Sequence, residues 1–399
     1  MKVISVLFFF FFSFSFFNAQ SIREARVLTD KDVIIGAARF DDYLTLLKGK
    51  RVGVVANLTS RVGNRHLVDT LIALKVKVNK IFSPEHGFRG EADAGEKVVN
   101  GKDPSTGITV ISLFGKHNKP TRDDVKDLDV LIYDIQDVGV RFYTYISTMT
   151  YVMEACAENK KKCIILDRPN PNGFYVDGPI LDLSLKSFLG LHPVPIVYGM
   201  TCGEYAKMVN GEGWLTKKVV CDLTVVPVKN YTHSDLYQLP VKPSPNLPNM
   251  ISVYLYPSLG LFEGTIVSMG RGTEFPFQVL GHPKLKGSEF SFTPQAFTGA
   301  KNPKYLNEKC FGYDLRRFGE DYMKNLKEIN LLWLSGMFRE LKDETTFFDA
   351  NFNYHSGNYI LQEQIKKGVK ESEIAKSWKP SIQQFKLVRS KYLLYPDFE

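Results

Sequence analysis

The sequence predicts an α/β fold in which a doubly wound parallel sheet is followed by a smaller α+β domain. Between residues 51 and 166, short β-branched and aliphatic runs alternate with segments whose apolar residues recur at helical spacing. The runs are nearly all apolar inside but end in acids, amides and arginines. From about residue 288 the composition changes to alternating aromatics and then to longer helical segments. Such alternation is typical of a parallel sheet covered by helices, and we place the two domains at residues 20–287 and 288–399.

The first domain contains five predicted strands and three predicted helices. Each strand is a short apolar run bounded by polar or turn-forming residues, as expected for a buried strand. Leu67, Leu71 and Leu74 share one face of the first helix, and Ile146 and Met149 share one face of the third. The predicted strands span residues 51–57, 76–82, 108–114, 130–135 and 163–166, and the predicted helices span residues 66–74, 121–128 and 145–157.

Beyond residue 179 the pattern is less regular. Thr201 and Glu204 have the spacing of a capping box, which predicts that a helix begins there and that Glu204 is structural. Residues 243–249 contain three prolines and are predicted to form an extended loop along the crevice. The C-terminal domain, which we expect to cover one side of the cleft, has predicted helices at residues 329–341, 359–367 and 371–385.

The first nineteen residues have the pattern of a secretory signal peptide. Lys2 gives a positive start, an apolar run follows, and Ala19 supplies a small residue at the expected cleavage point. Ser13 and Ser15 interrupt the run, which disfavours a membrane anchor. We therefore expect a secreted protein, periplasmic in a Gram-negative source, without stable membrane insertion after cleavage.

Composition and missing motifs exclude several classes of function. The net charge of +8 is mildly basic and is attributed to solvated lysine clusters, so no nucleic-acid partner is expected. The five cysteines are scattered without CxxC spacing, which indicates buried thiols with at most one bridge. The sequence lacks GxGxxG after the first strand, GxxxxGK[ST], GxSxG and HExxH. We therefore expect neither a cofactor nor a metal.

Polar residues follow the predicted strands, and the carboxyl ends of parallel strands are where such sheets bind ligands. The loop that contains Glu85 and His86 is flanked by Pro84 and Gly87, which end regular structure directly after a strand. We predict that Glu85 is catalytic, whereas His86 orients Glu85 or binds substrate. The predicted substrate-binding residues at this edge and in neighbouring loops are Asn57, His86, Arg89, Asp134, Gln136, Arg141, Asp167, Arg168, Asn170 and Arg271.

Two acids across a cleft, without metal or cofactor motifs, indicate glycoside hydrolysis. One carboxylic acid protonates the leaving oxygen while a second carboxylate attacks or activates water. Glu263 lies between glycines and turn residues and is the predicted second carboxylate. The arginines would bind the carboxylate of an anionic sugar. Many of the remaining candidate acids are expected to be structural; these acids are Glu91, Asp93, Glu96, Asp134, Asp137, Asp167 and Asp177.

Several long motifs resemble those of the bacterial exo-β-N-acetylmuramidases, a family of peptidoglycan-recycling glycoside hydrolases. They are SPEHGFRG at residues 83–90, DIQDVGVRFYTYIS at 134–147, LDRPNP at 166–171, PSPN at 243–246, and FEGT at 262–265 with GRGT at 270–273. The resemblance implies a Rossmann-like N-terminal domain, a smaller C-terminal domain and a cleft between them. It further implies release of N-acetylmuramic acid from the non-reducing end of peptidoglycan fragments, with muramyl saccharides as the partners. Glu85 and Glu263 match the family's SPEH and FEGT motifs.

Two alternative functions remain open. One is that of a non-hydrolytic muropeptide-binding protein of the cell envelope that uses the same cleft. The other is that of a metal-dependent deacetylase or amidase built on the strand-end aspartates. The stereochemistry of hydrolysis depends on the separation of the two carboxyl groups in space, which the sequence does not specify.

Overall fold

The protein is described from a computed structural model that covers residues 25–89, 100–297, 299–319, 321–343 and 346–399. The predicted signal peptide, residues 1–19, lies outside these ranges, as do three candidate acids, Glu91, Asp93 and Glu96. The described part of the chain contains no helix that is both long and apolar enough to cross a membrane.

The strands and helices follow the predicted alternation. The strands are β1 (Val27–Leu28), β2 (Val52–Ala56), β3 (Arg61–Val62), β4 (Arg65–His66), β5 (Val78–Ser83), β6 (Gly101–Lys102), β7 (Thr109–Ser112), β8 (Val130–Asp134), β9 (Lys162–Leu166), β10 (Asp222–Val226), β11 (Leu236–Tyr237), β12 (Val279–His282), β13 (Ser291–Phe292) and β14 (Cys310–Asp314). The helices are α1 (Leu44–Leu47), α2 (Leu67–Ala73), α3 (Arg122–Val125), α4 (Tyr145–Glu158), α5 (Cys202–Gly211), α6 (Met250–Leu259), α7 (Arg316–Gly319), α8 (Asp321–Leu326), α9 (Leu332–Leu341), α10 (Phe352–Ser356), α11 (Ile360–Lys366) and α12 (Glu371–Arg389).

A seven-stranded sheet forms the centre of the first domain, in the order β10-β9-β8-β2-β5-β7-β6. All neighbours are parallel except the short edge strand β6, which is antiparallel to β7. The chain builds β2, β5 and β7 outward in one direction and then returns to place β8, β9 and β10 on the other side of β2. This reversal is the doubly wound topology that the sequence predicts, with its switch point between β2 and β8.

Both faces of the sheet are buried, which explains why the strands read as continuous apolar runs. Successive residues of β8 point to opposite faces: Val130 and Ile132 pack in one core cluster with residues of α2, and Leu131 and Tyr133 pack in the other with residues of α4. A polar substitution at any of these positions would therefore lie in one of the two cores.

The crevice at the switch point is filled by the protein's own polar groups. The Ser60 hydroxyl donates to the Asp134 carbonyl, and the Gln136 amide donates to Thr59 Oγ1 at 3.0 Å. Arg168 donates to both carboxylate oxygens of Asp134, at 2.6 and 2.9 Å, and to the Arg61 carbonyl at 3.0 Å. The loops after β2, β8 and β9 are thereby joined to one another at the place where many doubly wound folds bind a ligand.

The C-terminal part contains a three-stranded sheet, in the order β12-β14-β13, and the helices α7 to α12. The predicted boundary at residue 287 remains a prediction, and this small sheet has strands on both sides of it. The predicted C-terminal helices correspond to α9, α11 and α12. The Thr201–Glu204 capping box is formed at the start of α5. All five cysteines are buried free thiols.

Candidate active site

A cleft of about 650 Å³ lies above the carboxyl edge of the sheet, between the two parts of the chain. Glu85 and His86 line it from the loop after β5, and Glu263 and Arg271 line it from the segment after α6. Four of the sequence-predicted site residues therefore meet in one cleft, although they come from segments that are far apart in the chain. Its other lining residues are Phe142, Tyr143, Thr144, Tyr145, Leu189, Ser244, Asn246, Leu247, Tyr256, Phe277, Gly299, Ala300, Lys301, Asn302, Pro303, Lys304 and His355.

The backbone after β5 turns sharply to present Glu85. His86 and Gly87 both have left-handed conformations, with φ values of 69° and 78°, and the Gly87 amide donates to the Pro84 carbonyl at 3.2 Å. A positive φ at a residue other than glycine is strained, and such strain concentrates at functional sites. The Thr144 hydroxyl donates to Glu85 Oε2 at 3.3 Å, and the Tyr145 hydroxyl lies 3.5 Å from the Glu85 carbonyl oxygen. The segment that begins α4 therefore holds both the side chain and the backbone of Glu85.

Glu263 lies on a 3-10 turn, Gly260–Gly264, directly after α6. Its Oε1 accepts a hydrogen bond of 2.6 Å from Arg271 Nη2. Burial acts to raise the pKa of Glu263, but the charge of Arg271 and its hydrogen bond, together with smaller contributions from His355 and Lys304, outweigh this effect, so the pKa of Glu263 lies below its usual value. Glu263 is thus held as a carboxylate at neutral pH.

Three cations, Arg271, Lys301 and Lys304, line the cleft. Arg271 lies over the Phe277 ring at 5.0 Å, and Lys304 Nζ donates to the carbonyl oxygens of Glu263 and Thr265. Burial lowers the pKa of Lys304, an effect that Asp349 and Glu263 oppose. Lys301 also lines the cleft. An anionic group on a ligand would meet these cations.

Aromatic rings line the cleft. Tyr143 packs edge-on against Tyr145 at 4.8 Å, and Tyr256 packs against Phe142 at 5.3 Å and Phe277 at 4.9 Å. The Tyr143 hydroxyl donates to the Pro243 carbonyl at 2.9 Å, which ties the proline-rich loop to the cleft wall. Such rings offer apolar faces against which the C–H faces of a sugar can pack.

Eight predicted substrate-binding residues do not line the cleft: Asn57, Arg89, Asp134, Gln136, Arg141, Asp167, Arg168 and Asn170.

Seven of these eight are buried and bonded within the protein. Asn57 Oδ1 accepts from the Thr59 amide at 2.9 Å. Gln136 Nε2 donates to the Asp137 and Pro169 carbonyls at 2.8 and 2.7 Å.

Asp167 and Asn170, which follow β9, are also bonded within the protein. The Asn170 amide nitrogen donates to the Met200 carbonyl at 2.8 Å. Asp167 accepts from the Thr201 hydroxyl at 2.7 Å and the Tyr395 hydroxyl at 2.5 Å. Burial raises the pKa of Asp167 to about 6 against the effect of these hydrogen bonds. These groups fix loops to the sheet.

Arg89 points to a different pocket. It donates to both oxygens of Asp103, at 3.1 and 3.0 Å, and it lies 3.6 Å from Asp69. With Arg61 and Arg65 it lines a second cavity of about 240 Å³ beside the β3–β4 hairpin. The short loop from Glu85 to Arg89 therefore spans two pockets.

Several lining residues were not predicted from the sequence. Tyr143, Thr144 and Tyr145 lie inside the motif at residues 134–147, and Asn246 lies inside the motif at residues 243–246. Membership in these motifs was the sequence signal that could have identified them as site residues. Lys304 and His355 lie outside every quoted motif and have no local signal; only the tertiary fold brings them to the cleft. Within the described residues, no group of three or more His, Cys, Asp or Glu side chains is arranged to hold a metal ion.

Known proteins with a similar sequence and fold cover nearly the whole chain. The peptidoglycan beta-N-acetylmuramidase NamZ of Bacillus subtilis (strain 168) is 37% identical over an alignment of 396 residues, and the alignment covers 94% of this chain and 93% of the relative. A crystal structure of a DUF1343 family protein from Bacteroides fragilis NCTC 9343 has a TM-score of 0.86 and 49% identity, and covers 92% of this chain and 99% of the neighbour. A second such protein from the same strain has a TM-score of 0.76 and 29% identity, over 91% and 99%.

Both parts of the chain also match sequence families. Residues 52–251 match the family described as exo-beta-N-acetylmuramidase NamZ, N-terminal, and residues 254–395 match the corresponding C-terminal family. The chain therefore belongs to the exo-β-N-acetylmuramidase NamZ family.

Proposed function

We propose that the protein is a glycoside hydrolase that releases N-acetylmuramic acid from the non-reducing end of peptidoglycan fragments. The observation that carries this proposal is the meeting of Glu85 and Glu263 in one cleft of a chain whose two parts both match the NamZ family. The Bacillus subtilis relative, a peptidoglycan beta-N-acetylmuramidase, supports the same activity.

Glu85 is the proposed general acid/base, and Glu263 is the proposed second carboxylate. Glycosidases of this kind need one carboxyl group that donates a proton to the leaving oxygen and a second that stays ionised. Arg271 holds Glu263 as the ionised partner. Thr144 and Tyr145 hold Glu85 from the side of α4, which suits a group that must meet the glycosidic oxygen in a fixed geometry.

The cleft also offers a site for the lactyl carboxylate of muramic acid. Of the four predicted arginines, Arg89, Arg141 and Arg168 are bonded elsewhere, and Arg271 lines the cleft. We place the lactyl carboxylate beside Arg271, Lys301 and Lys304, because these three cations line the cleft. A glucosaminide without the lactyl group would lose this interaction and should be the poorer substrate.

Incubation with a peptide-free and a peptide-bearing muramyl disaccharide tests the proposal. We expect free N-acetylmuramic acid and the released partner sugar, resolved by mass spectrometry. An unchanged disaccharide together with measurable binding would identify a non-hydrolytic binding protein. Loss of acetate or peptide with the glycosidic bond intact would identify a deacetylase or amidase. Either of these two results would refute the assignment.

We also propose that the protein is exported, on the basis of the charge and apolar pattern of residues 1–19. Expression of the full chain in its native host should yield a mature protein that begins at Gln20. Intact-mass measurement of the purified protein checks this, and recovery of only the uncleaved chain in the cytoplasm would contradict it.

A further inference from the structure

The buried arginine Arg141 joins the first domain to the helix that carries His355. Its Nη1 donates to the Pro179 and Val194 carbonyls, each at 2.9 Å. Its Nη2 donates to the carbonyls of His355 at 3.0 Å and Ser356 at 2.8 Å, more than 200 residues away in the chain. The guanidinium therefore holds the last turn of α10 against the loops of the first domain.

The residue after α10 is suited to this contact. Gly357 has a left-handed φ of 82°, and a Cβ there would lie 2.2 Å from Arg141 Nη2. A side chain at this position would thus be strained and would also displace the guanidinium. The contact between Arg141 and the end of α10 depends on glycine at position 357.

His355 projects from this clamped turn into the cleft. Its ring packs against Phe142, the neighbour of Arg141, with ring centroids 5.6 Å apart. Its Nδ1 lies 3.1 Å from the Asn351 carbonyl, so Nδ1 carries the proton and donates. The Nε2 atom of His355 has no hydrogen-bond partner in the described part of the chain, and it is not fully buried. His355 lines the cleft. Nε2 is therefore open to the cleft as a hydrogen-bond acceptor.

Charges from three elements act on His355. Burial lowers the pKa of its imidazole, Glu263 and Asp349 raise it, and Arg141 lowers it, with a net value below the ordinary one. The ring is therefore neutral at neutral pH. The other charged groups that line the same cavity are Glu85, Glu263, Arg271, Lys301 and Lys304.

The segment from Arg141 to Tyr145 thus contacts two residues of the cleft, His355 and Glu85. Arg141 and Phe142 hold His355, and Thr144 and Tyr145 hold Glu85. Because these residues are consecutive, a displacement of the segment would move both groups together.

We propose that His355 contacts the substrate by accepting a hydrogen bond at Nε2 from a hydroxyl or acetamido N–H of the terminal sugar, and that Arg141 is the positioning residue that fixes His355 for this contact. This proposal rests on the function proposed above. Arg141 itself does not reach the cleft, so it acts only through the backbone of α10.

The substrate contact is tested with His355→Phe, which keeps an aromatic ring but removes the acceptor. We expect a loss of about tenfold in kcat/KM, the size that an ordinary hydrogen bond provides, expressed mainly in KM. The matched control is His192→Phe, which alters another buried histidine that stacks on Trp214 outside the cleft lining. The control should leave kcat/KM per folded molecule within about twofold of wild type.

The positioning role is tested by comparing Arg141→Lys with Arg389→Lys. Arg389 is also fully buried and donates to a backbone carbonyl, that of Gly199, but none of its partners lines the cleft. Both variants should unfold more easily. Only Arg141→Lys should loosen the end of α10 and so expose His355 to water. Because hydration would raise the pKa of His355 toward its ordinary value, the acid limb of the KM–pH profile should move to higher pH in this variant alone.

The possible results separate the two proposals. No turnover by the wild-type protein refutes the proposed function and the contact that depends on it. Wild-type turnover with an unchanged kcat/KM in His355→Phe refutes the His355 contact alone. If Arg141→Lys and Arg389→Lys give the same pH profile as wild type per folded molecule, Arg141 is merely structural and the positioning role is wrong.

Discussion

Arg271→Met should change how the activity depends on pH, because Arg271 keeps Glu263 ionised. The two side chains are only 23% and 25% exposed, and Nη2 lies 2.6 Å from Oε1. A hydrogen bond to a charged group contributes about 1.5–3 kcal/mol. The pKa of Glu263 is depressed in the folded protein. The carboxylate therefore stays ionised through the ordinary carboxyl range, and it is protonated only when the pH falls through this depressed pKa. Without Arg271, burial dominates and protonation begins at higher pH.

The assay is kcat/KM for a muramyl disaccharide from pH 4 to pH 9, normalised to each variant's plateau. We expect the acid limb of Arg271→Met to lie at higher pH, with at least a tenfold deficit at the acid end that corresponds to about 1.5 kcal/mol. The control Arg271→Lys keeps the positive charge, so its acid limb should lie between those of the wild type and Arg271→Met. The plateau itself also falls if Arg271 binds the lactyl carboxylate. An acid limb that stays in place or moves to lower pH would refute the electrostatic role of Arg271.

Three further substitutions test the structural assignments. Arg168→Met leaves Asp134 buried and unpaired, so we expect the free energy of unfolding, measured by chemical denaturation, to fall by about 3–5 kcal/mol. The double variant that also carries Asp134→Leu should be less destabilised. Equal losses in the two variants would contradict a buried ion pair. Burial raises the pKa of Asp177 to about 6, so its contribution to stability is present at low pH and lost as pH rises through about 6. Asp177→Asn should therefore flatten the fall in unfolding free energy between pH 4 and pH 7 by on the order of 2 kcal/mol, and an unaltered slope would exclude this origin. Gly357→Ala should lower the free energy of unfolding by about 2 kcal/mol or more, because position 357 has a left-handed φ and a Cβ there would contact Arg141. An unchanged thermal unfolding would show that the contact between Arg141 and the end of α10 is not needed for stability.

The sequence predicts the central sheet because each strand that is buried on both faces is a continuous apolar run. Strand β10 did not stand out, since it is partly exposed at the sheet edge and mixes polar with apolar residues. Helix α6 also escaped detection. It is buried nearly all round and contains Pro257, so it has no amphipathic stripe that periodicity could reveal.

The site was harder to predict because polar residues at strand ends have two uses that look alike in sequence. Glu85 faces the cleft, whereas Asp134 and Arg168 neutralise each other inside the switch point. Which way a loop side chain turns depends on its tertiary partners. His355 is the extreme case, since its place in the cleft is set by Arg141 through contacts between distant parts of the chain.

The central claim is that Glu85 supplies the proton for cleavage of the glycosidic bond. The most direct measurement is kcat for a muramyl disaccharide with Glu85→Gln, alongside thermal unfolding and binding of N-acetylmuramic acid. The control is Glu154→Gln, which changes a buried glutamate bonded to Lys119 and Thr216 outside the cleft lining. We expect Glu85→Gln to fold and bind the sugar normally while kcat falls by about 10²- to 10⁴-fold, the usual contribution of a general acid or base. A folded Glu85→Gln variant that turns over at nearly the wild-type rate would contradict the account.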